Sequence, residues 1–291
     1  MPRRKPRQDT SRTNTRETTA EASEASPNSV LAADESDDAF GDLERTVVQT
    51  FMARPCASEE ELTSTLQSIR LVVDQSEQPI TPNDVRETVA KINEGIEPLN
   101  LKIVTLRDQT ISSKLHYVLI NTSSNAVTKL ATQYTIDEIE FFKAMVDFIF
   151  IDGDTVSKTF YHVRHADLAK CDARLERRLG AIARDQLISR FLDDKWLVTS
   201  LGSTISYELG PRALTELKGY LMENYGPEGA NTLQLCKACN GIFTRGRRCG
   251  SANCPVELHE ACTQAYFLDR GTSCPNCQGD LGSTFVRVGC A

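Results

Sequence analysis

Between Cys236 and Cys277 the chain reads Cys-x2-Cys-x9-Cys-x4-Cys-x4-His-x2-Cys-x11-Cys-x2-Cys. Seven of its ten cysteines and one of its four histidines fall in this short span. Eight soft or borderline ligands suit two tetrahedral Zn²⁺ ions, four to each. A Cys-x2-Cys pair lets two thiolates reach one ion from a tight turn, and such a pair stands at each end. So few large apolar residues cannot stabilise a fold by themselves. Zinc contributes on the order of 10–16 kcal/mol per structural site, which replaces the missing core. In series, the first four ligands take one ion. In a cross-brace, Cys236, Cys239, His259 and Cys262 take one ion, and Cys249, Cys254, Cys274 and Cys277 take the other. The cross-brace is preferred, because it ties both end pairs into one unit. Either way each ion has four protein ligands and no open position for water, so the zincs are expected to be structural. A disulfide framework leaves an odd cysteine and gives His259 no role.

The chain has 291 residues, room for two or three small domains, with 40% hydrophobic and 25% charged residues. A net charge of −7 argues against a nucleic-acid coat, and any DNA contact needs a local basic patch. No apolar run approaches the ~18–20 residues of a membrane span, so no membrane association is expected. The N-terminus lacks the apolar stretch of a secretory signal, which points to a reducing compartment.

Residues 1–38 are polar and are expected to form a disordered tail. Its basic half, Arg3 to Arg16, is either a nuclear-import signal or a solvated run. From Ala39 the apolar period is helical: Leu43, Val47 and Phe51 form one face. Ser58 with Glu61 is a capping box that opens a second helix through Leu62, Leu66 and Ile69. Thr81-Pro82 starts a third, with Val85, Val89, Ile92 and Ile96 on one side. Two alternating runs, Leu101–Leu106 and Leu115–Asn121, complete a winged-helix pattern over 39–125. The pattern repeats over 130–225. An amphipathic helix carries Ile136, Ile139, Phe142, Met145 and Ile149 up to Gly153. Helices are expected at Thr155–Leu168 and Ala173–Asp193, then a hairpin from Trp196–Thr199 and Thr204–Leu209, then a helix from Pro211. Residues 226–232 are expected as a linker, 233–280 as the zinc finger and 281–291 as a C-terminal tail. The fold class is therefore α+β multidomain: two tandem winged-helix domains and a small zinc-stapled cross-brace finger.

The ligand order is shared by PHD fingers and by RING variants with histidine in the fifth place. PHD fingers usually carry an aromatic two residues before the seventh ligand, and Thr272 stands there. A methyl-lysine reader needs an aromatic cage, yet the one tryptophan, Trp196, lies outside the finger. Cys274-Pro275-x-Cys277 resembles the last knuckle of RING ligases, so a RING-like finger is preferred to a PHD-type histone reader.

Two winged helices followed by this finger resemble the non-structural maintenance of chromosomes element 1 family, the RING subunit of the SMC five–six complex. The resemblance covers about residues 39–280. It also rests on Ile92-Asn93-Glu94 with Pro98-Leu99, on Tyr117 to Thr122, on Ala131 to Phe142 and on Phe191 to Leu197. It implies a nuclear, chromatin-associated protein of DNA repair and recombination. It also implies binding to a MAGE-type winged-helix subunit and a kleisin subunit, and E3 ubiquitin ligase activity with an E2 ubiquitin-conjugating enzyme. A RING ligase supplies no nucleophile, so no catalytic residue is expected; it holds E2~ubiquitin in a reactive geometry. The places of the typical E2-binding surface hold Ala238, Tyr266 and Pro275 here, and the place after the eighth ligand holds Gln278. Ala238 offers less apolar contact than the usual branched residue. Gln278 lacks the usual cation. The expectation is ligase output that is weak alone and dependent on partners. The alternative is a non-catalytic, zinc-stapled scaffold. The Cys249-x4-Cys254 spacing is two residues longer than is usual in this family, and Gly250 to Asn253 are expected to bulge, with Gly250 taking unusual backbone angles.

The third helix of the first winged helix carries Asp84, Glu87, Glu94 and Glu97 against Arg86 and Lys91, a face that repels phosphate. In the second, Arg174, Arg177 and Arg178 can share a helical face, mixed with acids. Both winged helices are read as protein-binding platforms, with direct DNA contact weak. His162 and His165, three apart on an expected helix, lack further ligands at motif spacing. Cys171 is close to them in sequence but isolated, Cys56 and Cys290 are read as free thiols, and Phe141, Phe142, Phe148 and Phe150 as core or a buried seam between domains.

Overall fold

The computed structural model describes residues 40–73, 75–109, 114–123, 133–152, 159–200, 204–251 and 254–289. The expected tail 1–38, Cys290, and Ala252 and Asn253 of the expected Gly250–Asn253 bulge lie outside them.

The first winged helix is built from α1 (Asp42–Ala53), β1 (Cys56–Ser58), α2 (Glu59–Val73), α3 (Pro82–Ile96), β2 (Leu101–Arg107) and β3 (Leu115–Asn121). Ser58 caps α2: its Oγ accepts the Glu61 N–H at 3.2 Å, and Glu61 Oε2 accepts the Ser58 N–H at 2.7 Å. Thr81 caps α3 in the same way with Asp84. Val85, Val89, Ile92 and Ile96 are all buried and face Val47, Phe51, Leu62 and Leu66. The sheet runs β1-β3-β2, antiparallel throughout, with Leu101 opposite Asn121 and Cys56 opposite Val118. Strand β1 is too short to show a period in the sequence.

The second winged helix comprises α4 (Ile136–Asp147), β4 (Val163–Arg164), α5 (Leu168–Asp172), α6 (Ala181–Asp193), β5 (Leu197–Ser200), β6 (Ser206–Leu209), α7 (Pro211–Glu216) and α8 (Lys218–Tyr225). A π-helical turn, Phe148–Asp152, extends α4. Its sheet runs β4-β6-β5. Phe141, Phe142 and Phe150 are core, as is Trp196, which Phe142 meets edge-on at 6.0 Å.

Three expectations fail here. The Thr155–Leu168 helix does not form as one helix over its described part: residues 159–164 are non-helical and end in β4, with Tyr161 and Val163 buried and Arg164 exposed, and only a short 3-10 turn, His165–Asp167, leads into α5. Aromatic and β-branched residues at period two favour a strand. His162 and His165 therefore share no helix; His165 Nδ1 lies 3.0 Å from the Tyr207 hydroxyl. The Ala173–Asp193 helix begins only at Ala181, because Gly180 has φ +81°. Asp172 stops the chain there by accepting the Leu179 N–H at 2.8 Å. Arg174 and Arg177 thus fall before α6 and share no helical face; Arg174 pairs with Asp152 at 2.6 Å. The closing helix is broken at Leu217 into α7 and α8.

The finger holds β7 (Gln234–Leu235), β8 (Ile242–Phe243), β9 (Gly246–Cys249), β10 (Glu257–Leu258), α9 (Glu260–Arg270) and β11 (Phe285–Val288). Residues 281–289 are no tail. Strand β11 pairs with β9, Val288 opposite Gly246, in a sheet ordered β10-β9-β11. The 226–232 connection is a tight turn: the Thr232 and Leu233 N–H groups both donate to the Tyr225 carbonyl, at 2.9 and 2.7 Å. Leu233, Ile242, Phe243 and Val288 join the apolar core of the second winged helix, so the finger is anchored on it.

Candidate metal centre and adjoining groove

The two Cys-x2-Cys turns are built alike. In the first, the Asn240 N–H donates to the Cys236 carbonyl at 2.9 Å and the Cys236 N–H to the Gly241 carbonyl at 2.9 Å. In the second, the Gln278 N–H donates to Cys274 at 3.0 Å and the Cys274 N–H to Gly279 at 2.8 Å. Asn240 (φ +54°) and Gln278 (φ +59°) occupy the same left-handed position. That position turns the chain so that both sulfurs of each pair face inward.

His259 stands immediately before α9 and comes, with Cys262 of the helix, to the first turn. Strand β9 brings Cys249 to the second. The structure gathers the ligand atoms of Cys236, Cys239, His259 and Cys262 within 4.8 Å of one another, and likewise those of Cys249, Cys254, Cys274 and Cys277. The sulfurs of Cys249 and Cys277 are 3.6 Å apart, as are those of Cys254 and Cys274. A disulfide needs about 2.05 Å. A tetrahedral ion with Zn–S of about 2.3 Å sets its sulfurs about 3.8 Å apart. His259 Nδ1 lies 3.3 Å from the Cys239 sulfur and 3.8 Å from that of Cys262. These separations fit two structural zinc ions. His259 Nε2 donates to the Ile242 carbonyl at 3.0 Å, which leaves Nδ1 as the lone-pair donor.

The donor groups agree. Hydrogen bonding from Cys239, then Cys262, holds the Cys236 thiol far below its usual range, while the Cys236 sulfur pushes Cys262 far above it. Burial opposes a charged His259, yet the Cys236 and Cys239 sulfurs outweigh it and raise the imidazole to about 10. One proton cannot satisfy three clustered sulfurs; a dication can. Gly250 serves by size, not by angle: a Cβ there would stand 2.0 Å from the Thr284 carbonyl oxygen.

A groove of about 690 Å³ adjoins the metal centre. Ala238 from the first turn, Tyr266 from α9 and Pro275 from the second turn line it together. Val256 and Leu258, both fully buried, form its floor, and Lys237, Asp269 and Arg270 add charge. The Tyr266 hydroxyl donates to the Ser273 carbonyl at 3.1 Å, fixing α9 against the second turn. Gln278 is exposed and stands outside the groove lining. Sequence spacing did not reveal Val256 and Leu258, whose only signal is a short apolar alternation between ligands. Nor did it reveal the ion pairs Arg247–Glu260 (2.6 Å) and Arg248–Glu257 (2.5 Å) that tie β9 to α9 and β10.

A family model described as Nse1, non-SMC component of the SMC5-6 complex, matches residues 44–217. A RING-like domain model matches residues 236–277. Among curated relatives, the non-structural maintenance of chromosomes element 1 homolog of Mus musculus is 24% identical over 243 residues, covering 82% of this chain and 84% of its own length. The homolog of Drosophila melanogaster is 28% identical over 213 residues, covering 72% of this chain and 82% of its own. A chain of the solved Nse1-Nse3-Nse4 complex superposes with a TM-score of 0.64 at 20% identity, over 84% of this chain and 97% of that one, and so shares the fold. The winged helices, the paired Cys/His clusters and these matches together place the chain in the Nse1 family, the RING-like non-SMC component of the SMC5-6 complex.

Proposed function

We propose that this chain is a RING-type E3 ubiquitin ligase subunit of the SMC5-6 complex, acting in the nucleus, on chromatin, in DNA repair and recombination. The observation that carries the reading is the groove in which Ala238, Tyr266 and Pro275 converge beside the metal centre. An apolar floor with a charged rim suits the loops of an E2 enzyme. The four-ligand zinc sites supply rigidity. The chain's part in catalysis is to hold the E2~ubiquitin conjugate in its reactive geometry. The small Ala238 side chain and the uncharged Gln278 favour low output without partners. The winged helices are the platforms for a MAGE-type and a kleisin subunit, a reading supported by the assembly in which the structural neighbour was solved. Their cations are largely engaged by acids, Arg190 with Glu138 at 2.5 Å and Arg212 with Glu216 at 2.7 Å among them, which disfavours DNA as the principal ligand.

The test is a ubiquitin-chain assay with a panel of E2 enzymes, with and without the MAGE-type partner. Product is expected with the partner present and should fall on Tyr266→Ala in protein that retains its zinc. No product in any combination sinks the enzymatic reading. The second reading, a zinc-stapled scaffold, is favoured by the same Ala238 and Gln278. It predicts that Cys274→Ala weakens subunit assembly while Pro275→Ala changes little.

A further inference from the structure

Gln109 lies just beyond β2, in the wing of the first winged helix, yet its side chain is buried against the finger 133 residues away in sequence. Its Oε1 accepts the N–H groups of Thr244 and Arg245, each at 2.9 Å, and the Thr244 hydroxyl at 3.3 Å. Its Nε2 donates to the Ile242 carbonyl at 2.9 Å. The amide thus spans the turn between β8 and β9 as a neighbouring strand would. The Ile242 carbonyl is the same oxygen that receives His259 Nε2. Arg245 holds the other side of this turn to the second winged helix, donating to Glu208 at 2.8 Å and Ser200 at 3.2 Å.

A metal-bound imidazole keeps its orientation through the hydrogen bond of its other nitrogen. That bond is only as firm as the acceptor. Here the acceptor is a backbone oxygen at the end of a two-residue strand, β8, and a side chain from another domain fixes it. We propose that Gln109 is a positioning residue for the histidine-containing zinc site, holding the Ile242 carbonyl so that His259 presents Nδ1 to the ion. The wing of the first winged helix and the first zinc site are then mechanically one unit. Among the described residues, the second site, built from four cysteines, has no such link to the wing.

The experiment uses the full chain with cobalt(II) in place of zinc, mixed with excess chelator. Loss of the three-sulfur, one-nitrogen absorption is followed beside that of the four-sulfur absorption. Loss of a direct hydrogen-bond partner of a metal ligand weakens binding about 10–100-fold. Gln109 acts one bond further out, so release from the His259 site should quicken about 3–10-fold, with the four-cysteine site unchanged. Gln109→Ala removes both arms. Gln109→Glu keeps acceptors for Thr244 and Arg245 but replaces the donor to Ile242, and should speed release as Ala does. Equal acceleration at both sites would mean general loosening and overturns the proposal. So does an unchanged rate in Gln109→Glu, which also decides the matter if the Ala variant does not fold. Failure of the two-zinc reading itself would look different: the wild type would show no sulfur–nitrogen signature.

Discussion

Consider Phe243→Ala. Phe243 is fully buried, belongs to the same apolar core as Phe191 and Leu209 of the second winged helix, and stacks on His259 with ring centroids 5.8 Å apart. Truncating such a ring removes its transfer free energy and leaves a cavity that only partly closes, at a cost of about 3–5 kcal/mol. The His259 ring and the β8–β9 turn border that cavity, and both are held by several hydrogen bonds, so little collapse is expected and the upper half of the range applies. In a unit of this size each kcal/mol shifts the melting midpoint by about 2–4 °C, so the loss is on the order of 10 °C. The reporter is built in: Trp196 is the one tryptophan, fully buried in the second winged helix and remote in sequence from the substitution. Urea unfolding of zinc-loaded protein, followed by its fluorescence, should show the full destabilisation. If the Trp196 transition is unmoved while the finger alone becomes chelator-sensitive, the finger is an autonomous module on a linker, and the shared core is wrong.

Chelation should remove two zinc ions per chain and collapse the β10-β9-β11 sheet, because beyond its cysteines the finger's own core has, among the described residues, only Val256, Leu258 and Leu281 fully buried; protease resistance of residues 236–277 that survives metal removal would contradict this. Asp167 has a pKa lowered from its ordinary value: burial raises it, but Lys170 at 2.7 Å and Arg164 at 2.6 Å more than offset that. A depressed folded-state pKa gives stability that is present above the ordinary aspartate range and lost as pH falls through the lowered value. Asp167→Asn should therefore cost about 1–2 kcal/mol at neutral pH, and the gap in urea midpoints should close in strong acid; a gap independent of pH refutes the charge-based account.

The metal centre was legible because chemistry fixes its spacing: eight ligands in a recognisable order leave few alternatives. The helices of the first winged helix were legible for a different reason. Val85, Val89, Ile92 and Ile96 repeat at a helical period, and Thr81 announces the start. What the sequence hid was decided by contacts far along the chain. Strand β1 exists because β3 offers it hydrogen bonds. Strand β11 looked like a tail until β9 paired with it. Residues 159–164 lost a helical reading to the edge of the second sheet, where β4 meets β6. Gln109 carried no signal at all: a lone glutamine near a wing says nothing of a turn 133 residues away. In the groove, Tyr266 and Pro275 were legible by their distance from ligands, whereas Val256 and Leu258 required the fold.

The most direct test of the proposal that this groove docks an E2 is a gain of function. Ala238→Ile restores apolar bulk at an exposed position of the groove. At about 0.8 kcal/mol per buried methylene, partial burial of three added carbons is worth about 1 kcal/mol, or about fivefold. Single-turnover discharge of E2~ubiquitin, measured with the MAGE-type partner present, should accelerate by about that factor. A folded Ala238→Ile protein with two zinc ions, discharging no faster than the wild type, would contradict the assignment of this groove to an E2.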